Sequence, residues 1–271
     1  MKVLVTGAGG LLGSAVASHA SETHQVYAAF NQHSPPAGTP VRLDLLDKAS
    51  VSDALARTKP DAIVHSAAMT DVDRCERERD RAEKVNVEGT RLLSETAKKA
   101  GAYFLYVSTD YVFDGDRGMY NERDPTNPIN FYGLTKLRGE HSVEASGAEF
   151  CIARASVIYG ARPAAGKLNF ALWVVESLRK RERIKILEDQ YVSATLNTSL
   201  AQRARGAIAE AFGLDSSLIV PARMSDMQWS ARRPRDSSLD VSKAVSTLEA
   251  KPIPLPEAML KLKQAMSGVG A

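Results

Sequence analysis

Cysteine is scarce, with 2 in 271 residues. Cys75 and Cys151 stand far apart, without metal-ligand spacing or a neighbouring histidine pair, which excludes a disulfide framework and a zinc site and points to a reducing compartment. No metal is expected. Long apolar runs are also missing: the longest, around Phe170 to Val175, falls far short of the roughly 20 residues that cross a bilayer. Charge of one sign is gathered nowhere, and a formal net charge of +3 spread over mixed-sign stretches is too small for a nucleic-acid binder. Met1-Lys2-Val3-Leu4-Val5-Thr6-Gly7 enters a strand pattern at once and leaves no room for the regions of a secretory signal. A cytoplasmic protein with neither nucleic acid nor membrane as partner is expected.

What is present is ordinary globular material, 44% hydrophobic and 25% charged, in a chain long enough for one large domain or one and a half. Short β-branched or apolar runs at Val3 to Thr6, Gln25 to Phe30, Asp61 to His65, Tyr103 to Ser108 and Phe150 to Ala155 read as strands. Between them, helix patterns cover Leu11 to Ala20, Lys48 to Arg57, Arg79 to Ala100 and Phe131 to Ser146, with Gly101 as a stop for the third. This alternation predicts an α/β fold, a Rossmann-type doubly wound parallel sheet. Beyond Arg154 the alternation loosens, and prolines 163, 221, 234, 252, 254 and 256 mark a loop-rich region. The expected division is a dinucleotide-binding domain over 1–153 and a smaller substrate-binding lobe over 154–271, some segments of which return to the first domain. The charge run from Asp71 to Lys84 reads as a solvated helix face.

Thr6-Gly7-Ala8-Gly9-Gly10-Leu11-Leu12-Gly13 follows the first strand directly and opens a helix. Glycines 7, 10 and 13 let the backbone turn sharply, approach a pyrophosphate without a Cβ and pack helix against strand, while the helix N-terminus favours the anion. Gly7, Gly10, Leu11, Leu12 and Gly13 are therefore candidate dinucleotide contacts. The end of the second strand, Ala29-Phe30-Asn31-Gln32-His33, has no carboxylate to repel a 2′-phosphate and no arginine to bind one. NADP(H) is favoured, with Asn31 and His33 as candidate contacts, and NAD(H) stays open.

Tyr132-Gly133-Leu134-Thr135-Lys136 places a phenol and an ammonium four residues apart, on one face of a helix. A lysine charge beside a tyrosine favours the phenolate, so Lys136 is expected to tune Tyr132 downward and fit it for acid or base work. A hydroxyl at the end of the strand leading into Val107-Ser108-Thr109-Asp110 could hold a substrate oxygen beside Tyr132, and Thr109 is the candidate.

Taken together these residues resemble the extended short-chain dehydrogenase/reductases, and within them the dTDP-4-dehydrorhamnose reductase group with its non-catalytic relative, the methionine adenosyltransferase regulatory subunit. The resemblance covers most of the chain. It is carried by the Gly7 to Gly13 loop, Asp44-Leu45 after a third strand, His65-Ser66-Ala67-Ala68 after the fourth, Val85-Asn86, Ser108-Thr109-Asp110-Tyr111-Val112-Phe113-Asp114-Gly115, and Tyr132 through Glu140. It implies that Asp44 and Leu45 border an adenine, that Ala67 and Ala68 line the nicotinamide side, and that Lys136 also binds the nicotinamide ribose. It further implies that Thr109 and Tyr132 contact the reacting oxygen and that Asn86 supports the site. The implied partner is a small molecule, a 4-keto-6-deoxy nucleotide sugar, with a homodimer allowed. Asp110, Val112, Arg154 and Arg233 are the substrate-side candidates, arginine being suited to a diphosphate.

The chain departs from the group after Asp189-Gln190, with Val192 and Ala194 where Gly and Pro are usual and Leu196 in place of Tyr. Leu200-Ala201 also passes almost directly into Arg203 to Gly213, where the group inserts a helix and a strand, so a strand of the main sheet is expected to be missing. Two other functions fit the same motifs: a dinucleotide-binding regulatory subunit without turnover, and an epimerase or dehydratase that returns the hydride to its substrate.

Overall fold

The computed structural model describes residues 1–161, 168–193, 203–248 and 255–268. The chain divides into two compact units, the first built from Met1–Val112, Pro128–Arg154 and Ser230–Arg232, the second from Phe113–Asn127, Ala155–Trp229 and Arg233–Ala271. Phe113–Asn127 thus goes with the second unit, and three residues near position 231 go with the first.

The first unit carries a six-stranded sheet in the order β3-β2-β1-β4-β5-β6. Its strands are β1 (Lys2–Thr6), β2 (Gln25–Phe30), β3 (Thr39–Arg42), β4 (Ala62–His65), β5 (Tyr103–Thr109) and β6 (Phe150–Ala155). The pairs β1–β2, β1–β4, β2–β3 and β4–β5 are parallel. The accompanying helices are α1 (Leu11–Ala20), α2 (Lys48–Thr58), α3 (Val72–Arg77), α4 (Arg79–Glu83), α5 (Gly89–Ala100) and α6 (Phe131–Ala145). Alternation along the central strands feeds two cores. Val3, Val5 and Ala28 pack with Ala17 of α1, whereas Leu4, Ala29 and Ile63 pack with Leu55 and Leu93 of α2 and α5. The strand order reverses at β1 and β4, and open α/β sheets hold ligands beyond the carboxyl ends of the strands at such a switch point.

Two elements differ from the sequence expectation. Strand β3 escapes a direct reading because Thr39-Pro40-Val41-Arg42 is short and contains proline, which the edge of a sheet tolerates. The helix expected over Arg79 to Ala100 is interrupted: α4 gives way to one π-helical turn at Lys84–Glu88 before α5 begins. The wider turn points Asn86 inward, at 1% exposure. The expected stop holds, since Gly101 ends α5 in the left-handed conformation at φ 68°.

In the second unit β7 (Ile184–Leu187) and β8 (Ile219–Ala222) form a parallel pair, accompanied by α7 (Phe170–Arg179), α8 (Arg203–Phe212), α9 (Ser242–Thr247) and α10 (Leu255–Met266). Val174, Leu178, Ile184, Ile208, Met259 and Leu262 form its core. The departures at Ala194, Leu196 and Leu200-Ala201, and prolines 163, 252 and 254, lie outside the described residues. Among the described residues no helix is long and apolar enough to cross a membrane.

A Cβ on Gly13 would stand 2.2 Å from the Gly7 oxygen and 2.8 Å from Ser66 Oγ. The first of these atoms is backbone and cannot swing aside. Gly13→Ala is expected to cost about 1–3 kcal/mol, in the range of overpacked cores, read as a lowered midpoint in urea denaturation.

Candidate active site

Past Thr6 the chain turns through Gly7 at φ 69°, and Gly10 N–H donates to the Gly7 carbonyl at 2.8 Å. Gly10 caps α1 without a side-chain bond, so the first-turn amides of Leu11, Leu12 and Gly13, which a helix cannot satisfy internally, are available to an anion. A Cβ on Gly7 would stand 2.9 Å from Ala67 Cα, which brings Ala67 and Ala68, at the end of β4, against the same loop. A Cβ on Gly9 would meet the His33 carbonyl at 2.2 Å, so the chain leaving β2 lies over the loop with Asn31 and His33 exposed. The backbone is as close and as bare of side chains as a pyrophosphate requires, and the fit to a dinucleotide is good.

Asp44 and Leu45 follow β3. Asp44 Oδ1 accepts the Leu46 N–H at 3.0 Å, and the Leu45 side chain is buried in the core. Arg42 was missed in the sequence because it belongs to another strand. Parallel pairing sets it opposite Phe30, its guanidinium carbon 5.9 Å from the Phe30 ring centre, next to Asn31. Arg42 is exposed and makes no ion pair among the described residues.

Thr109 Oγ1 donates its one proton to Asp110 Oδ1 at 3.1 Å. Tyr111 connects Thr109 to Tyr132: its N–H donates to Thr109 Oγ1 at 3.3 Å, and its ring meets that of Tyr132 edge-on at 6.0 Å. The approach is close because residue 133 is glycine: a Cβ there would stand 2.0 Å from the Tyr111 carbonyl. The expected tuning is corrected. Tyr132 is pushed well above the usual phenol range, first by burial, with nearby Thr109 opposing the rise and Asp110 adding to it. The Lys136 ammonium lies instead 4.0 Å from the centre of the Tyr106 ring. Lys136 is 3% exposed, and burial lowers its pKa to about 7 against the opposing pull of Glu140.

Asn86 braces this arrangement. Its Oδ1 accepts Met69 N–H at 2.8 Å, while Nδ2 donates to Met69 O at 3.0 Å and to Thr135 Oγ1 at 3.0 Å. Thr135 Oγ1 in turn donates to the Tyr132 carbonyl at 2.8 Å, so the loop after β4 is tied to the first turn of α6. The N-terminus of α6 is held twice more, Asn130 Oδ1 accepting Gly133 N–H at 2.8 Å and Glu76 Oε2 accepting Phe131 N–H at 3.0 Å. Part of the charge run read as a solvated face therefore has a fixed structural task. Only contact across the fold reveals it.

Of the candidates named for a substrate, Asp110 and Val112 are buried, at 2% and 0% exposure. Arg154 grips Glu140 with both prongs, at 3.0 and 2.6 Å, and Ser108 Oγ donates to the same carboxylate at 2.5 Å. Arg233 belongs to the second unit and lies 4.9 Å from the Trp229 ring centre. Asp189 accepts Met224 N–H at 2.9 Å, and Gln190 Nε2 donates to the Pro234 carbonyl at 3.2 Å. Among the described residues no three histidine, cysteine, aspartate or glutamate side chains are grouped to hold a metal.

Residues 1–210 match the family model described as the RmlD substrate binding domain. The chain is 32% identical to the probable low-salt glycan biosynthesis reductase Agl14 of Haloferax volcanii, over 98% of this chain and 99% of that protein. It is 37% identical to the dTDP-4-dehydrorhamnose reductase of Burkholderia thailandensis, over 78% of this chain and 67% of that one. The crystal structure of dTDP-4-dehydrorhamnose reductase from Bacillus anthracis in complex with NADP superposes with a TM-score of 0.86 at 25% identity, over 97% of this chain and 99% of the other.

The Glu140 side chain is 2% exposed. Arg154→Ala would strand its carboxylate, and breaking a buried pair from one side costs about 3 kcal/mol or more. The expected loss is read in urea denaturation at neutral pH, and the double variant Arg154→Ala with Glu140→Gln is expected to recover part of it.

Proposed function

The chain belongs to the RmlD substrate binding domain family, and from that premise we propose that it is an NADP(H)-dependent reductase of a 4-keto-6-deoxy sugar carried on a nucleotide diphosphate. The observation that carries this reading is Tyr132 and the buried Lys136 one turn apart on α6, with Thr109 joined to the Tyr132 ring through Tyr111. When bound, NADPH would supply the hydride for the ketone carbon and be oxidised to NADP⁺. Tyr132 gives its phenolic proton to the ketone oxygen, so that C=O becomes CH–OH. Its raised pKa keeps that proton in place at neutral pH, ready for an acid's task. Thr109 holds the same oxygen as a second hydroxyl. Lys136 holds the nicotinamide ribose and places positive charge near the reacting oxygen.

The glycine loop and the first-turn amides of α1 would hold the pyrophosphate, Ala67 and Ala68 the nicotinamide side, and Asp44 the adenine edge. Arg42 is assigned to the 2′-phosphate together with Asn31 and His33, which turns the mere absence of an acid after β2 into a positive reason for NADP(H). NAD(H) remains usable, because every other contact is common to the two. A cytoplasmic setting fits two free cysteines.

Tyr132→Phe is expected to lower turnover by about 10²–10⁴ while leaving the NADPH dissociation constant within a few fold. The assay is NADPH absorbance decay with dTDP-4-dehydrorhamnose. Tight NADPH binding without turnover in the natural chain would overturn the substrate and favour a regulatory subunit, and bound cofactor cycling without net consumption would favour an epimerase. Arg42→Ala is expected to weaken NADPH binding about tenfold or more and to leave NADH unchanged, as measured by fluorescence titration. Equal losses for both cofactors would remove Arg42 from the 2′-phosphate.

A further inference from the structure

A buried lysine needs something to hold its charge, and here the obvious partner is already engaged. Glu140 stands one turn further along α6, but its carboxylate accepts both prongs of Arg154 and the Ser108 hydroxyl. The Lys136 ammonium lies over an aromatic face instead. Tyr106 is fully buried on β5, with Lys136 Nζ 4.0 Å from its ring centre, and a desolvated cation over such a face is attracted by the ring quadrupole.

The ring cannot easily swing away. Its hydroxyl lies where a Cβ on Gly139 would meet it at 2.2 Å and donates to the Lys136 carbonyl at 3.4 Å. The other flank is closed by His65, whose ring centre is 5.7 Å from that of Tyr106. His65 Nδ1 pairs with Thr6 Oγ1 at 2.7 Å and Nε2 with Thr90 Oγ1 at 3.0 Å. Thr90 spends its own proton on the Asn86 carbonyl at 2.8 Å, so Nε2 carries the hydrogen and Nδ1 accepts. Burial, with Lys136 second, lowers the pKa of His65 to about 3, so it adds no competing positive charge.

We propose that Tyr106 is a positioning residue: its ring face is the seat that fixes the Lys136 ammonium, doing by its quadrupole what a carboxylate would otherwise do. The titratable and charged groups around Lys136 are Tyr132 and Glu140 one turn away on either side along its own helix, His65 from β4 and Tyr106 from β5, with Arg154 of β6 reaching it through Glu140. The ring favours only the charged form of lysine. Losing it must therefore move the Lys136 titration to lower pH, and an activity that needs charged Lys136 must lose its alkaline limb in the same direction.

The role of Lys136 in turnover rests on the reductase reading, but its titration does not. The test is carbon NMR of the full chain labelled at lysine Cε, with the Lys136 resonance assigned through Lys136→Arg and followed against pH. In Tyr106→Leu the midpoint is expected to fall by about one unit, and in Tyr106→Phe, which keeps the face and loses the hydroxyl, to return to that of the natural chain. Tyr106→Met replaces the leucine variant if thermal unfolding shows that leucine is not tolerated. The alkaline limb of kcat is expected to follow the same order. A midpoint unchanged in the aliphatic variant, or lowered equally in the phenylalanine variant, overturns the proposal. A shifted midpoint in a chain that shows no reductase turnover would leave the seat standing and sink the substrate reading alone.

Discussion

Removing the Lys136 ammonium from water is the constraint around which the first unit is arranged. Desolvation penalises the charged form, and burial has already lowered this lysine to about 7. The surroundings offset that cost without neutralising it. Glu140 supplies negative charge from a distance but is bound to Arg154 and Ser108; Tyr106 supplies an aromatic face; His65 stays neutral between two threonine hydroxyls. A carboxylate placed directly on the ammonium would hold it more tightly and leave less of its charge for a ligand.

The same hydrogen bonds that surround the lysine also orient α6. Asn86, turned inward by the π-helical turn, links the loop after β4 to Thr135, and Thr135 to the Tyr132 carbonyl. Asn130 and Glu76 fix the start of the helix. The phenol therefore sits on an element held at several points, as the proposed delivery of a proton to a defined atom would require. The glycine positions do the complementary work. At Gly13 and Gly133 the backbone of one segment occupies the space where a side chain would be, which draws α1 onto the β1 turn and α6 onto the Tyr111 loop.

The sequence by itself was enough for the class of fold and for naming the candidate groups. The alternation of β-branched runs with helical patterns specified a parallel sheet, the glycines after Thr6 marked a tight turn from strand to helix, and the spacing of Tyr132 and Lys136 on one helix needed only the period of that helix. These signals are local. Strand β3 was less legible, because a short edge strand can carry a proline, and the break at Lys84–Glu88 was invisible, because a single π turn shifts the phase of the helix by only about one residue.

Only the tertiary structure decided what those groups experience. It set Arg42 beside the end of β2 by strand register, where the neighbouring sequence contains no arginine. It gave Lys136 to Tyr106 and committed Arg154 to Glu140, and it raised the Tyr132 pKa where helical spacing alone argued for a fall. The physical reason is the same in each case: a side chain's charge and proton affinity depend on burial and on neighbours distant in the chain, and periodicity carries information about neither.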